Sequence, residues 1–221
     1  TFLRWAFRRN HIDKMPFVEK AKVGDSLPSY LNDSEFKEIM KHTNEHFERV
    51  FRMYRNTGFR LTEPILGTLN NDTLVISAKY SKTRKERRIL LNPEDVPVVY
   101  ELQERYNAWR NKVKVKKTKY FADKYSKEFK RICRLIGLDN KFHDLRHTFA
   151  VRRYLMTRDI YQVMKEMGHS KVTTTQIYAE FQLSRLEYDF PTIVYAPNQP
   201  IFGKRYTESR YTNHKEITYV S

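Results

Sequence analysis

With a single cysteine, Cys133, among 221 residues, no disulfide can form within the chain. That suits a reducing compartment such as the cytosol. Long apolar runs are also missing. None approaches the roughly 18 residues that a membrane span needs. The stretch Thr1 to Arg9 carries Arg4, Arg8 and Arg9 among its apolar residues, so it does not read as a secretory signal. No internal repeat is evident. No Asp, Glu or His cluster stands at metal-ligand spacing, and neither a metal nor a cofactor is expected. Acidic residues are the scarcest relative to their counterparts. There are 26 Asp and Glu against 42 Lys and Arg, a net charge of +16. A surplus of that size points to a polyanion, nucleic acid first. The plainer reading is a solvated basic protein or a ribosomal type.

What is present is a chain long enough for one large domain, with 40% hydrophobic residues to fill its core. Residues 1–10 read as the end of an amphipathic helix. Residues 16–28, with Pro16, Gly24 and Pro28, read as a linker. Asp33 or Ser34 can cap a helix through Phe36, Ile39 and Met40. A second helix is predicted over Glu45 to Arg55, with Phe47, Val50, Phe51 and Tyr54 on one face, and Gly58 ends it. Residues 73–79 and 87–91 read as two strands joined by a polar turn, Ser81 to Glu86. Pro93 and Pro97 open a helix through about Tyr106. A further helix, Ser126 to Ile136, is expected to bury Phe129, Ile132 and Leu135 and to stop at Gly137. Another starts near Asp144 and buries Leu145 and Phe149. The next carries Ile160, Val163, Met164 and Met167 and ends at Gly168. A last helix is expected around Tyr178. Residues 191–221 show no clear period and read as a tail. Many helices with one hairpin make an α+β domain, mostly α, with a small antiparallel sheet.

The residues that carry chemistry lie in three segments. Arg60 follows a glycine stop in Thr-Gly-Phe-Arg-Leu-Thr-Glu. His143 and Arg146 sit three apart across a helix start, so both can face one side. His169 follows Gly168, and Tyr178 lies nine residues beyond it. Singly, each has an ordinary reading. Arg60 is a solvated arginine or a partner of Glu63, His143 and Arg146 a cap or surface pair, His169 a helix-end histidine, Tyr178 core packing. Together they supply phosphate-binding donors and one phenol nucleophile. Residues 112–119 form the densest basic run. They read either as a solvated loop or as a loop that contacts DNA phosphates through Lys112, Lys114, Lys116, Lys117 and Lys119.

In these three motifs the sequence resembles the catalytic domain of the tyrosine recombinases, the phage and mobile-element integrases, over about residues 30–185. Thr57 to Glu63 is similar to the family's first-arginine motif, His143 to Ala150 to its His-x-x-Arg motif, and Gly168-His169 through Tyr178 to its nucleophile segment. Met167 stands where the family usually has leucine, and the segment Pro64 to Asp72 is short. The resemblance implies residues 29–190 as a helical catalytic domain of the DNA breaking-rejoining type. Residues 1–28 would then be a remnant of the core-binding domain with its linker. It implies that Arg60 and Arg146 clamp the scissile phosphate, that His143 and His169 add hydrogen bonds, and that Glu63 orients Arg60. Tyr178 would attack phosphorus to give a 3′-phosphotyrosine, with no metal and no ATP. Lys82, on the hairpin turn, would protonate the leaving 5′-oxygen, with Lys79 and Lys85 as competitors for that role. The implied partners are double-stranded DNA, further copies of the chain as a tetramer on DNA, and accessory DNA-bending proteins. The implied location is the cytoplasm of a bacterial or archaeal host, with a phage as a candidate source. The rivals are a type IB topoisomerase, which has lysine where His143 stands, a DNA-binding module without catalysis, and a general RNA-binding protein.

Overall fold

The structure is a computed structural model that describes residues 2–17, 27–80, 84–113 and 117–194. Helix α1 (Phe2–Arg8) stands at the N-terminal side. Next come α2 (Asp33–Lys41) and α3 (Glu45–Thr57). The cap of α2 is Asn32, not Asp33 or Ser34. Its side chain accepts from the Glu35 N–H at 2.8 Å, and the Glu35 carboxylate accepts from the Asn32 N–H at 2.9 Å. This reciprocal pair satisfies two donors that a bare helix start would leave open. Asp33 is spent on tertiary contacts instead. One carboxylate oxygen accepts from Arg55 and the other from the Thr192 hydroxyl. Helix α3 buries Val50, Phe51, Met53 and Tyr54, close to the face read from the sequence.

Gly58 ends α3 with φ 63°, a conformation that costs L-residues but not glycine. A Cβ there would lie 2.4 Å from Cδ1 of Phe149. Gly58→Ala is therefore expected to destabilise the domain by about 3 kcal/mol, the sum of left-handed strain and overpacking. Urea unfolding checks this, and a loss under about 1 kcal/mol would mean that Phe149 yields freely.

Helix α4 (Glu63–Leu66) leads into a three-stranded antiparallel sheet of β1 (Thr68–Asn70), β2 (Thr73–Ile76) and β3 (Arg87–Leu90), in the order β1-β2-β3. The strand β1 was not foreseen, and β2 stops at Ile76, short of residue 79. Leu74 and Ile76 are fully buried, and Ile76 faces Arg87 across the β2–β3 ladder. Arg87 thus shares the packed face of the sheet, since opposed residues point the same way. The hairpin link falls partly outside the described residues, at 81–83, and Lys82 with it.

Helix α5 (Asp95–Lys112) runs further than expected. Helix α6 (Thr118–Leu135) starts eight residues before Ser126. Leu135 is 61% exposed, against expectation. The buried face of α6 runs through Ala122, Tyr125, Phe129, Ile132 and Cys133. Its next step at 3.6 residues per turn falls on Ile136, which packs against the core. Helices α7 (Asp144–Thr157), α8 (Ile160–Met167), α9 (Thr173–Gln176), α10 (Leu183–Asp189) and α11 (Pro191–Val194) follow among the described residues.

Among the described residues there are two hydrophobic clusters. One joins α2, α3, the sheet, α5 and α6. The other joins α7, α8, α10 and α11, and includes Phe149, Val151, Val163, Met167 and Tyr178. Ile193 packs in this second cluster, so the stretch from residue 191 begins with a packed turn of helix. The rest of the expected tail, 195–221, lies outside the described residues.

Candidate active site

The site forms where the ends of α3 and α8 meet the first turns of α7. Glu63 opens α4 and is 4% exposed. Its carboxylate gathers three guanidiniums. Arg60 donates to it through Nη1 at 2.7 Å and through its backbone N–H at 2.8 Å. Arg87 donates through Nη1 at 3.1 Å. Arg146 Nη1 lies 4.0 Å from Oε2. Burial pushes the Glu63 carboxyl up, but Arg87, Arg146 and Arg60 outweigh it and hold it below the ordinary value. Three cations around one anion leave a surplus of positive charge, which is what a phosphate requires.

Arg146 is 2% exposed. Its guanidinium donates to the Gly58 carbonyl at the end of α3 and to the Met167 carbonyl at the end of α8. Both are helix C-termini, where carbonyls lack intrahelical partners and a cation is favoured. Burial, then Arg87 and Arg60, pulls its pKa down to about 9, which leaves it charged at neutral pH. Gly168 makes this junction possible. It has φ 64°, and a Cβ there would lie 2.9 Å from Cδ of Arg87. Met167 matters less as a substitute for leucine than through its carbonyl, which also accepts from Arg87 at 3.4 Å.

His169 lies with Nε2 3.4 Å from Arg146 Nη2 and Nδ1 2.9 Å from the Thr175 hydroxyl. Desolvation first, then Arg146, Arg60 and Arg87, lowers its pKa to about 4, so the ring is neutral at pH 7. Arginine only donates. Nε2 is then the accepting nitrogen, and Nδ1–H donates to Thr175.

His143 is exposed at the N-terminal edge of α7. Its ring meets that of His147 edge to face, with centroids 4.8 Å apart. Tyr178 does not lie in a helix. Helix α9 is one turn long, and its threonines are weak helix formers. Tyr178 follows in a turn, where its N–H donates to the Thr175 carbonyl at 3.0 Å. Its ring is 1% exposed, and its hydroxyl lies 2.8 Å from His147 Nδ1. Burial pushes the phenol up to about 12, with Arg146 opposing.

The structure therefore brings Arg60, Glu63, Arg146 and His169 into one network, with Tyr178 joined to the same helix as Arg146. Arg87, His147 and Thr175 were missed. Each had a signal. Arg87 lies at the inward phase of a strand, and His147 is four residues from His143 on one helix face. Lys79 lies in the turn after β2, with Nζ 5.7 Å from the Tyr80 ring centroid, and Lys85 is an exposed residue of the hairpin. The basic run does not form a single loop. Lys112 ends α5, Lys117 and Lys119 flank the start of α6, all three are exposed, and Lys114 and Lys116 lie outside the described residues. Among the described residues, no group of three or more His, Cys, Asp or Glu is placed to hold a metal ion. No described helix is long and apolar enough to cross a membrane.

The domain is mainly helical with a three-stranded antiparallel sheet, and it sets an arginine cluster of surplus charge near a buried tyrosine, a set suited to an anion such as phosphate. The chain belongs to the phage integrase family, the tyrosine recombinases, whose family model matches residues 29–185. It is 26% identical over 210 residues to the tyrosine recombinase XerC of Caldanaerobacter subterraneus subsp. tengcongensis, covering 84% of this chain and 58% of that protein. It is 29% identical over 150 residues to the tyrosine recombinase XerA of Saccharolobus solfataricus, covering 64% of this chain and 48% of that protein. The chain thus spans about half the length of these relatives. Its fold matches that of XerH bound to a palindromic difH substrate in a post-cleavage complex, with a TM-score of 0.53, 23% identity and coverage of 80% of this chain and 56% of that one. It also matches a lambda integrase tetramer bound to a Holliday junction, with a TM-score of 0.53, 17% identity and the same two coverages.

Proposed function

We propose that this chain is the catalytic part of a site-specific DNA recombinase that cleaves and rejoins strands through a 3′-phosphotyrosine. The observation that carries the reading is that Tyr178 meets His147, the neighbour of Arg146, while Arg146 shares one carboxylate with Arg60 and Arg87. A scissile phosphate would sit against Arg60 and Arg146. Two of the five N–H groups of Arg146 are spent on carbonyls, which fixes the guanidinium plane before DNA arrives. A fixed cation stabilises the phosphorane, where charge gathers on equatorial oxygens, more than the ground state. Arg87 adds charge from behind Glu63.

In the forward step Tyr178 Oη gives up its proton to a base and bonds to phosphorus, the bond to the 5′-oxygen breaks, and that oxygen takes a proton from Lys82 on the hairpin between β2 and β3. Attack by another strand's 5′-hydroxyl reverses each event. The covalent link stores the bond energy, so no ATP is needed. The nucleophile and the arginines come from one protomer in this arrangement. His143, at the exposed edge of α7, is a second phosphate donor. His169 has its N–H on Thr175 before DNA binds. A bound phosphate would favour a second proton on its Nε2, turning that nitrogen from acceptor to donor. Lys112, Lys117 and Lys119, with Lys114 and Lys116, would hold the DNA backbone by charge. Assembly as a tetramer on DNA, as in the lambda integrase complex, and help from DNA-bending proteins belong to the same proposal.

The test is a covalent band. A site is selected from a random-sequence duplex library with Tyr178→Phe, then presented as a nicked suicide substrate and run on a denaturing gel. The wild-type chain is expected to give a protein–DNA adduct. Tyr178→Phe is expected to bind equally and give none. An adduct at the wild-type level in the variant would remove Tyr178 as the nucleophile.

A further inference from the structure

We propose that His147 is the general base that takes the phenol proton of Tyr178 during strand cleavage and returns it during rejoining, a role that rests on the strand-cleavage reading above. The argument begins with geometry. The distance of 2.8 Å between Tyr178 Oη and His147 Nδ1 is that of a direct hydrogen bond to the attacking atom. The two rings lie with centroids 5.9 Å apart and tilted by 48°, so the contact is made through the hydroxyl and not by stacking. Both partners are held by packing. His147 is held in α7 directly after Arg146, and the Tyr178 ring is locked in the second hydrophobic cluster.

The surroundings then decide the direction of the proton. The groups that face His147 are His143, Asp144 and Arg146 from its own helix, with Tyr178 and His169 from the segment packed against it. Burial first, then His143, lowers the imidazole to about 4. It is therefore neutral at pH 7 and has a nitrogen free to accept. The phenol, pushed to about 12, keeps its proton in the free protein. The transfer must then accompany attack. As Oη bonds to phosphorus its proton passes to Nδ1, the bond to the 5′-oxygen breaks, and Lys82 protonates that oxygen. The incoming phosphate adds negative charge beside the imidazole, which favours the protonated form. On rejoining, Nδ1–H returns its proton to the departing tyrosine oxygen.

The experiment follows single-turnover cleavage from pH 6 to 9.5 on the selected duplex, with the bridging 5′-oxygen at the scissile position replaced by sulfur. A thiolate leaves without protonation, so the profile reports the base alone. Wild type is expected to be flat, because His147 is already neutral throughout. His147→Ala is expected to be slower by about 100-fold at pH 7. Its rate should climb tenfold per pH unit, since only the rare phenolate then attacks. His147→Gln keeps an oxygen that accepts a hydrogen bond but takes no proton, and the same slow, rising profile is expected. It also decides the matter if the alanine variant melts early. A wild-type rate in either variant overturns the proposal. A slow but flat profile does so too, because His147 then only positions the phenol. Absence of adduct in the wild-type chain would instead sink the cleavage reading itself.

Discussion

Arg146→Ala is expected to lower single-turnover cleavage by about 1,000-fold, the upper range for losing one preorganised donor to a developing anion. The same change should cost DNA affinity less than about tenfold, because the +16 surplus of the chain remains. The structure adds a second consequence. Arg146 ties the Gly58 and Met167 carbonyls together. Without it, two buried acceptors lose their donor, and Glu63 loses one of three cations. Unsatisfied buried groups cost about 1–3 kcal/mol each, so the melting temperature should fall together with activity. Arg146→Lys should recover little of either, since a point charge cannot bridge two carbonyls and present a planar face to a phosphate. Quantified adduct formation, filter binding and thermal melts separate the three effects. Equal losses in binding and cleavage would reduce Arg146 to a backbone contact.

That double role explains what the sequence could and could not tell. The periodic faces of α2 and α3 and the glycine stops at 58, 137 and 168 were legible, because helical spacing and left-handed caps leave direct marks in a sequence. Arg60, His143, Arg146, His169 and Tyr178 could be read as a set, although each alone has an ordinary reading, and the structure joins Arg60, Arg146 and His169 in one network. Other features left weak marks. Strand β1 has three residues and pairs only with β2, too short for any alternation to show. Helix α6 starts at Thr118 with no side-chain cap, so no Ser, Asp or Asn announced it. Arg87 was hidden because a charged residue at a strand's inward phase looks like an error until Glu63 is placed opposite. His147 was hidden because its neighbour Arg146 and its helix mate His143 already had roles. Its partner, Tyr178, is 31 residues away in the chain. Pairings set by tertiary packing, not by local periodicity, were what the sequence concealed.

Glu63 supplies the sharpest test of how the cluster is balanced. Glu63→Gln preserves size and removes the charge, leaving Arg60, Arg87 and Arg146 to repel one another in a buried space. An amide nitrogen would also face guanidinium donors. Breaking a buried ion pair from one side costs about 3–5 kcal/mol, so a loss of about 3 kcal/mol in urea unfolding at pH 7 is expected. The pH dependence tells which force governs the carboxylate. The arginines hold its folded pKa below the ordinary carboxylate value. A carboxylate depressed on folding contributes stability that is fully present above its unfolded pKa, about 4.3. That contribution is lost only as pH falls through the lower, folded value. The gap between wild type and Glu63→Gln should therefore stay constant from pH 8 down to about 5 and narrow only below that. Other groups act in the window between. His147 and His169 are both depressed to about 4. Folding opposes their protonation, so stability fully present above about 6.5 falls as pH drops toward 4. That loss is common to both proteins to the extent that the histidine shifts survive the substitution, and so it cancels in the difference. Should the gap instead widen as pH falls from 7 to 5, burial would be winning over the arginines. Glu63 would then be protonated in the folded state, and the cluster would carry one more positive charge than the proposed phosphate site assumes.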